Sequence, residues 1–199
     1  AMVKELREKT SAGMLDCKKA LAATEGDMEA AVTWLRERGI AKAVKKEGAV
    51  AAEGLCYYAV SGNSCIVFEL NSQTDFVAQN AKFVALLEQV AEIILNSSAN
   101  NTEEALNVEV EGKTLATIIL EASGVIGEKI SLRRVSRITK ADNEVFGAYK
   151  HMGGRIVTIA ILEGEDETVA KDVAMHVAAM NPKYVSKDDI PADVIAAER

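Results

Sequence analysis

The chain has 199 residues, 49% of them hydrophobic and 27% charged, an ordinary globular balance with room for more than one small folding unit. No apolar run is long enough to span a bilayer as a helix, and no basic-then-apolar leader opens the chain, so neither membrane insertion nor secretion is expected. The net charge of −7 is uneven: residues 1–50 carry ten Lys/Arg against eight Asp/Glu, the rest 13 against 22, and so acidic a body argues against wholesale binding of a nucleic-acid backbone.

Residues 2–39 read as three short helices. Val3, Leu6 and Arg7 fall on one turn pattern. Thr10 or Ser11 then offers a hydroxyl cap to a second helix over Ala12–Leu21. Glu25-Gly26-Asp27 is a turn whose Asp27 caps a third helix carrying Met28, Ala31, Val32 and Leu35 at helical spacing, with Gly39 as its stop. Three such helices look like a ubiquitin-associated-type bundle, an interaction module without chemistry of its own. Met14 and Leu15 are adjacent and cannot both face so small a core. They form either an adaptable contact surface beside Gly13 or a pair covered by the third helix. The Ala- and Lys-rich stretch 40–53 reads as a partly helical linker that closes a first domain near residue 53.

Two strand-like runs follow, residues 54–60 and 65–70, joined across Gly62-Asn63, a two-residue hairpin signal. That register sets Val60 opposite Cys65 and Cys56 opposite Glu69. It gathers Leu55, Ala59, Ile66, Phe68 and Leu70 on one face. Beyond the second strand, Ser72 and Asp75 are spaced as a capping box, and Phe83, Leu87, Val90 and Ile94 recur at helical spacing, which predicts one helix beginning near Asp75. Phe76 stands in its first turn. It is either a core residue closing the strand–helix corner or a protruding anchor for a partner.

Asn96–Thr102 is a polar break, Val108–Lys113 a loop or short strand, and Leu115, Ile118, Ile119 and Leu120 suggest another helix. Ile130 to Thr139 reads as a strand with Leu132, Arg134 and Ser136 on one face and Ile130, Arg133 and Val135 on the other. Arg133 and Arg134 are either a solvated edge pair or a phosphate contact. The last part repeats the earlier plan: strand 145–151, turn 152–154, strand 155–162, then a helix carrying Val169, Val173, Met175, Val177 and Met180, stopped by Asn181-Pro182. A final helix is predicted from Ala192 to Arg199. The expected class is α+β, a three-helix bundle followed by two hairpin-plus-helix subdomains with antiparallel sheets. The domains fall at 1–53, 54–140 and 141–199.

Cys17, Cys56 and Cys65 lack CxxC spacing, and with no leader they fit reduced thiols in a cytosol. His151 and His176 are too few and too distant from any cysteine cluster for a zinc site. An enzyme pairing Cys17 with a histidine is the rival reading, and an adaptor needing only residues 1–53 a second.

Thr74-Asp75-Phe76-Val77-Ala78 resembles the TDFVA signature of the bacterial elongation factor Ts family. The likeness extends along the chain in order. It includes Val3–Arg7, Gly13–Leu21, Gly127–Ile130 with Arg133-Arg134, His151–Ile156 and Ala174–Ala179. Leu15 stands where many members have a second Met, and Gln79-Asn80 where Lys-Asp is often seen. The resemblance implies a guanine nucleotide exchange factor, with no covalent chemistry, cofactor or metal of its own, acting on elongation factor Tu in the cytoplasm. It implies docking on the partner's GTPase domain through Arg7, Met14, Leu15 and Lys18. The segment Thr74, Asp75, Phe76 and Val77 would reach the Mg²⁺ side of the partner's nucleotide site, with the Phe wedged between two helices, so that Mg²⁺ is displaced from the partner rather than bound here. His151 would belong to the same contact surface. Many members continue into a coiled-coil hairpin that would begin near Arg199, so the third domain is expected either to be truncated there or to be closed differently.

Overall fold

The structure, a computed structural model, describes residues 1–197. The chain divides into two compact units, residues 1–139 and a second beginning at Lys140. It is a mixed α+β protein in which three helices precede antiparallel sheets and further helices.

Helices α1 (Met2–Thr10), α2 (Met14–Ala23) and α3 (Met28–Val44) pack around Leu6, Cys17, Ala20, Leu21 and Ala31. Asp27 caps α3 as its sequence promises, accepting the Ala30 N–H at 2.9 Å. The cap expected for α2 is not there. Gly13 holds that position with no side-chain bond, and Ser11 ends α1 in the left-handed conformation instead. Nor does Gly39 stop α3, which continues to Val44. Gly39 serves close packing: α3 crosses helix α7 (Leu115–Ile126) so tightly that a Cβ on Gly124 would lie 2.5 Å from the Gly39 carbonyl group.

Strands β1 (Glu53–Ser61) and β2 (Ser64–Ser72) form the hairpin in the register read from the turn, Val60 opposite Cys65 and Cys56 opposite Glu69. Strand β5 (Ser131–Thr139) adds on the far side of β2, so the first sheet is three-stranded, in the order β1-β2-β5, rather than a simple hairpin. One face of it, with Ile66, Phe68, Leu70, Leu132 and Val135, is buried against helix α5 (Ala81–Leu95) and α7. α5 contributes Phe83, Leu86, Leu87, Val90 and Ile94 to this core, and each such side chain stabilises the fold by about 1.5–3 kcal/mol on burial. The Arg137 guanidinium donates to the carbonyls of Ile94 (2.6 Å), Ser97 and Ala99 (2.9 Å each), tying down the C-terminus of α5.

The faces expected along β5, Leu132 with Arg134 and Arg133 with Val135, do not hold. Opposite the Glu69–Leu70 step the register shifts, leaving Arg133 as an extra residue. The bulge turns both Arg133 and Arg134 outward, while Leu132 and Val135 stay buried. A short helix α6 (Thr102–Leu106), capped by Asn101, and a two-stranded ribbon, β3 (Glu109–Val110) with β4 (Lys113–Thr114), complete the first unit.

In the second unit β6 (Glu144–His151) and β7 (Ile156–Glu163) form an antiparallel pair, covered by α8 (Glu167–Met180). Gly147 lets the helix backbone lie against β6, since a Cβ there would meet the Ala170 carbonyl. The Thr158 hydroxyl donates to the Ala174 carbonyl at 2.7 Å. Asn181 ends α8 in the left-handed conformation, immediately before Pro182. Helix α9 (Ala192–Ala197) occupies most of the last predicted helix, whose two final residues lie outside the described residues.

Candidate functional site

The single helix expected from Asp75 is two helices. Asp75–Ala78 forms α4, barely one turn long, and Asn80 breaks the chain by capping α5 with its side chain on the Lys82 N–H. The capping box also differs from the one read in the sequence. The Ser72 hydroxyl donates to the Thr74 carbonyl at 2.9 Å, and Thr74 takes the N-cap, accepting the Val77 N–H at 3.4 Å. Phe76, the second residue of α4, is left in solvent. Ala78 is buried, Thr74, Asp75 and Val77 are half-buried, and Phe76 is 83% exposed. Of the two roles open to it, the core role is thereby excluded.

The turn that carries Phe76 is held by groups from a distant part of the chain. The Glu128 carboxylate accepts the backbone N–H groups of Gln73 (3.1 Å) and Thr74 (3.0 Å), and the Thr74 hydroxyl at 2.7 Å. The Lys129 N–H donates back to the Gln73 side-chain carbonyl at 2.9 Å. No local pattern around Glu128 announced this role. It follows a helix-ending Gly127, and its partners are more than fifty residues away in sequence.

At the start of α2, Met14 and Leu15 are both open, 63% and 72% exposed, and with Gly13, Asp16 and Lys18 they line one shallow apolar depression. Cys17, two residues beyond Leu15, points inward and is fully buried. Arg7 is exposed on α1. The Lys82 ammonium, at the start of α5, donates to the Ser11 carbonyl at 2.8 Å, joining the loop before α2 to the segment that follows Phe76. His151, at the end of β6 in the second unit, is exposed, with its Nδ1 3.0 Å from the Tyr149 hydroxyl.

On the outer face of the first sheet, Glu69 accepts from Arg134 (2.6 Å), Asn71 (3.0 Å) and Arg133 (3.2 Å). Burial raises its pKa, but those hydrogen bonds and the Arg134 charge outweigh it, so the carboxyl lies below its ordinary value. Both arginines are thus paired with a carboxylate while their side chains stay largely exposed. The thiols are not poised for nucleophilic work. Cys17 and Cys65 are buried, and burial pushes Cys65 up to about 11. Burial, reinforced by Glu69, also raises Cys56.

Residues 73–199 match the protein family described as "Elongation factor TS". Over 199 residues the chain is 54% identical to the "Elongation factor Ts" of Acholeplasma laidlawii (strain PG-8A), an alignment that spans the whole of this chain and 67% of that relative. It is 52% identical over 198 residues to the "Elongation factor Ts" of Pediococcus pentosaceus, of which 68% is spanned.

Proposed function

The chain belongs to the elongation factor Ts family, the nucleotide exchange factors of elongation factor Tu in translation elongation and not enzymes, and from that premise we propose that it binds elongation factor Tu·GDP and speeds GDP release by disturbing the Mg²⁺/phosphate site. No bond is made or broken. Exchange requires tighter binding to the nucleotide-free partner than to the GDP-bound one, because only differential affinity shifts that equilibrium. Phe76 is the wedge: inserted beside the Mg²⁺ ligands, it loosens the metal whose charge holds the phosphates. Mg²⁺ is displaced from the partner and is not taken up by this chain.

The UBA-like bundle, residues 1–53, supplies the docking contacts through Arg7, Met14, Leu15 and Lys18 on the partner's GTPase domain. Residues 54–140 present Thr74, Asp75, Phe76 and Val77, and residues 141–199 add His151 to the contact surface. The partner is a protein, met in the cytoplasm where translation runs, with no direct nucleic-acid or membrane contact.

The observation that carries this reading is the 83% exposure of Phe76 on a turn whose backbone is hydrogen-bonded from outside. A large exposed aromatic held in a fixed position is the composition of an interface hot spot. Release of a fluorescent GDP analogue from elongation factor Tu tests it. Phe76→Ala should remain folded and bind, yet accelerate release poorly, and chelating Mg²⁺ should partly restore its rate. Met14→Asp should weaken the complex by roughly 2 kcal/mol or more, the hot-spot scale, with its circular dichroism unchanged. Wild-type release by Phe76→Ala would overturn the wedge.

A further inference from the structure

We propose that Glu128 is a positioning residue for exchange, and that the segment Gly127–Lys129 is a strut fixing Phe76 at a set reach from the docking bundle. The inference rests on the reading of Phe76 as the wedge. α4 is only four residues long, far below the length at which a helix sustains itself. The place of the ring is therefore set by what holds the ends of the turn. At its C-terminal end Ala78 is buried in the core. At its N-terminal end the Glu128 carboxylate holds two backbone N–H groups and the Thr74 hydroxyl together.

The same three-residue segment is bonded on its other side to the chain that leaves the bundle. The Lys46 ammonium donates to the Gly127 carbonyl, and the Lys129 ammonium donates to the Glu47 carbonyl at 2.5 Å. Lys46 and Glu47 lie two and three residues beyond the end of α3, which is itself seated on α7 at the Gly39–Gly124 crossing. α7 ends at Gly127. One short segment thus receives bonds from the end of the bundle and from the turn that carries the ring. A bundle docked through Met14 and Leu15 would otherwise leave the ring free to meet the partner at varying depth. Displacing a group that acts at a reacting or metal centre by about an ångström can cost orders of magnitude in rate.

The test measures release of a fluorescent GDP analogue from elongation factor Tu across exchange-factor concentrations, giving a maximal rate and a half-saturating concentration. Glu128→Ala removes the clamp. Glu128→Asp keeps the charge but withdraws the acceptor by one methylene. Glu128→Gln keeps an acceptor for the two N–H groups and an amide able to donate to the Thr74 oxygen. The Ala and Asp variants should lose about tenfold or more in maximal rate, with the half-saturating concentration within about twofold of wild type. The Gln variant should remain near wild type. Hydrogen exchange at the Gln73 and Thr74 amides should accelerate in the Ala and Asp variants alone.

Phe76→Ala is then combined with Glu128→Asp. A ring already out of place adds nothing when removed, so the double variant should exchange as slowly as Phe76→Ala and no more slowly. If Glu128→Ala proves unfolded, the contrast between Asp and Gln decides the question. The proposal is overturned if the Asp variant exchanges at the wild-type rate, if its defect appears as a raised half-saturating concentration, or if its effect multiplies with that of Phe76→Ala. Should Phe76→Ala alone leave exchange unchanged, it is the wedge reading that fails, which the single variant reveals before any Glu128 variant is made.

Discussion

Phe76 and Phe83 sit on consecutive helices of the same unit, and their surroundings are opposite. Phe83 is fully buried on a fifteen-residue helix that puts seven side chains into the core. Phe76 is 83% exposed on a helix of four residues that buries only Ala78. α5 is held by apolar area removed from water. α4 is held by directed polar bonds from Glu128 at its start, and the Asn80 cap on α5 separates the two helices. Leaving a Phe side chain in water forgoes about 1.5–3 kcal/mol of burial. The two regions therefore divide the work: apolar packing fixes the frame, and hydrogen bonds fix an apolar group outside it.

The sharpest way to break the comparison is to empty the buried side. Phe83→Ala should cost about 3–5 kcal/mol of unfolding free energy, the usual loss for truncating a buried Phe. Denaturant titration should show a lower midpoint with an unchanged slope. A loss under about 1 kcal/mol, the scale of an ordinary surface-to-intermediate site, would mean that α5 is not the frame.

A smaller effect is expected where the bundle meets the frame. Gly124→Ala places a Cβ 2.5 Å from the Gly39 carbonyl group, so backbone must move. The expected cost is about 1–3 kcal/mol, as for overpacking elsewhere. The loss should be read both as a lower melting temperature and as weaker protection of the α3 amides from hydrogen exchange. Full retention of both would show that α3 and α7 separate at no cost.

These two sites also show what the sequence made legible. The hairpin register could be read residue by residue, because a two-residue turn and a strict alternation leave one solution. The break at Gln79-Asn80 could not, because the helical periodicity of Phe83, Leu87, Val90 and Ile94 extrapolates smoothly back to Asp75. Nor could the role of Gly39. A glycine at the end of an apolar pattern looks like a stop, and only the three-dimensional crossing with Gly124 shows it to be a contact. The same holds for the β5 bulge and for Glu128, whose partners are far away in the chain. In the candidate site, the residue types were visible and the exposure of Phe76 was not.

On the outer face of the sheet the polar side of the comparison can be titrated. The Glu69 carboxyl lies below its ordinary value in the folded protein. A depressed carboxylate contributes stability that is fully present above its unfolded value and is lost as pH falls through the folded one. Stability should therefore decline through and below the ordinary carboxylate range, and Glu69→Gln should flatten that decline while lowering stability at neutral pH. Both arginines that pair with it are largely exposed, so the change at neutral pH should shrink in high salt. A variant with the wild-type acid profile would place the acid sensitivity elsewhere.

The smallest expected effect on stability is at the exposed ring itself. Phe76→Ala removes a side chain that is 83% exposed in the free protein, so its unfolding free energy should stay within about 0.5 kcal/mol of wild type, the range of surface substitutions. Set beside Phe83→Ala, the same chemical change one helix away, this measures how far a polar clamp can take the place of burial. It also separates the two kinds of loss. If the ring is used only against the partner, thermal melting of the free chain is unaffected while release of GDP from elongation factor Tu slows, and the contrast between the two phenylalanines is one between frame and contact. If Phe76→Ala melts early, the ring packs on the fold in solution, and the clamp at Glu128 holds a core residue rather than a wedge.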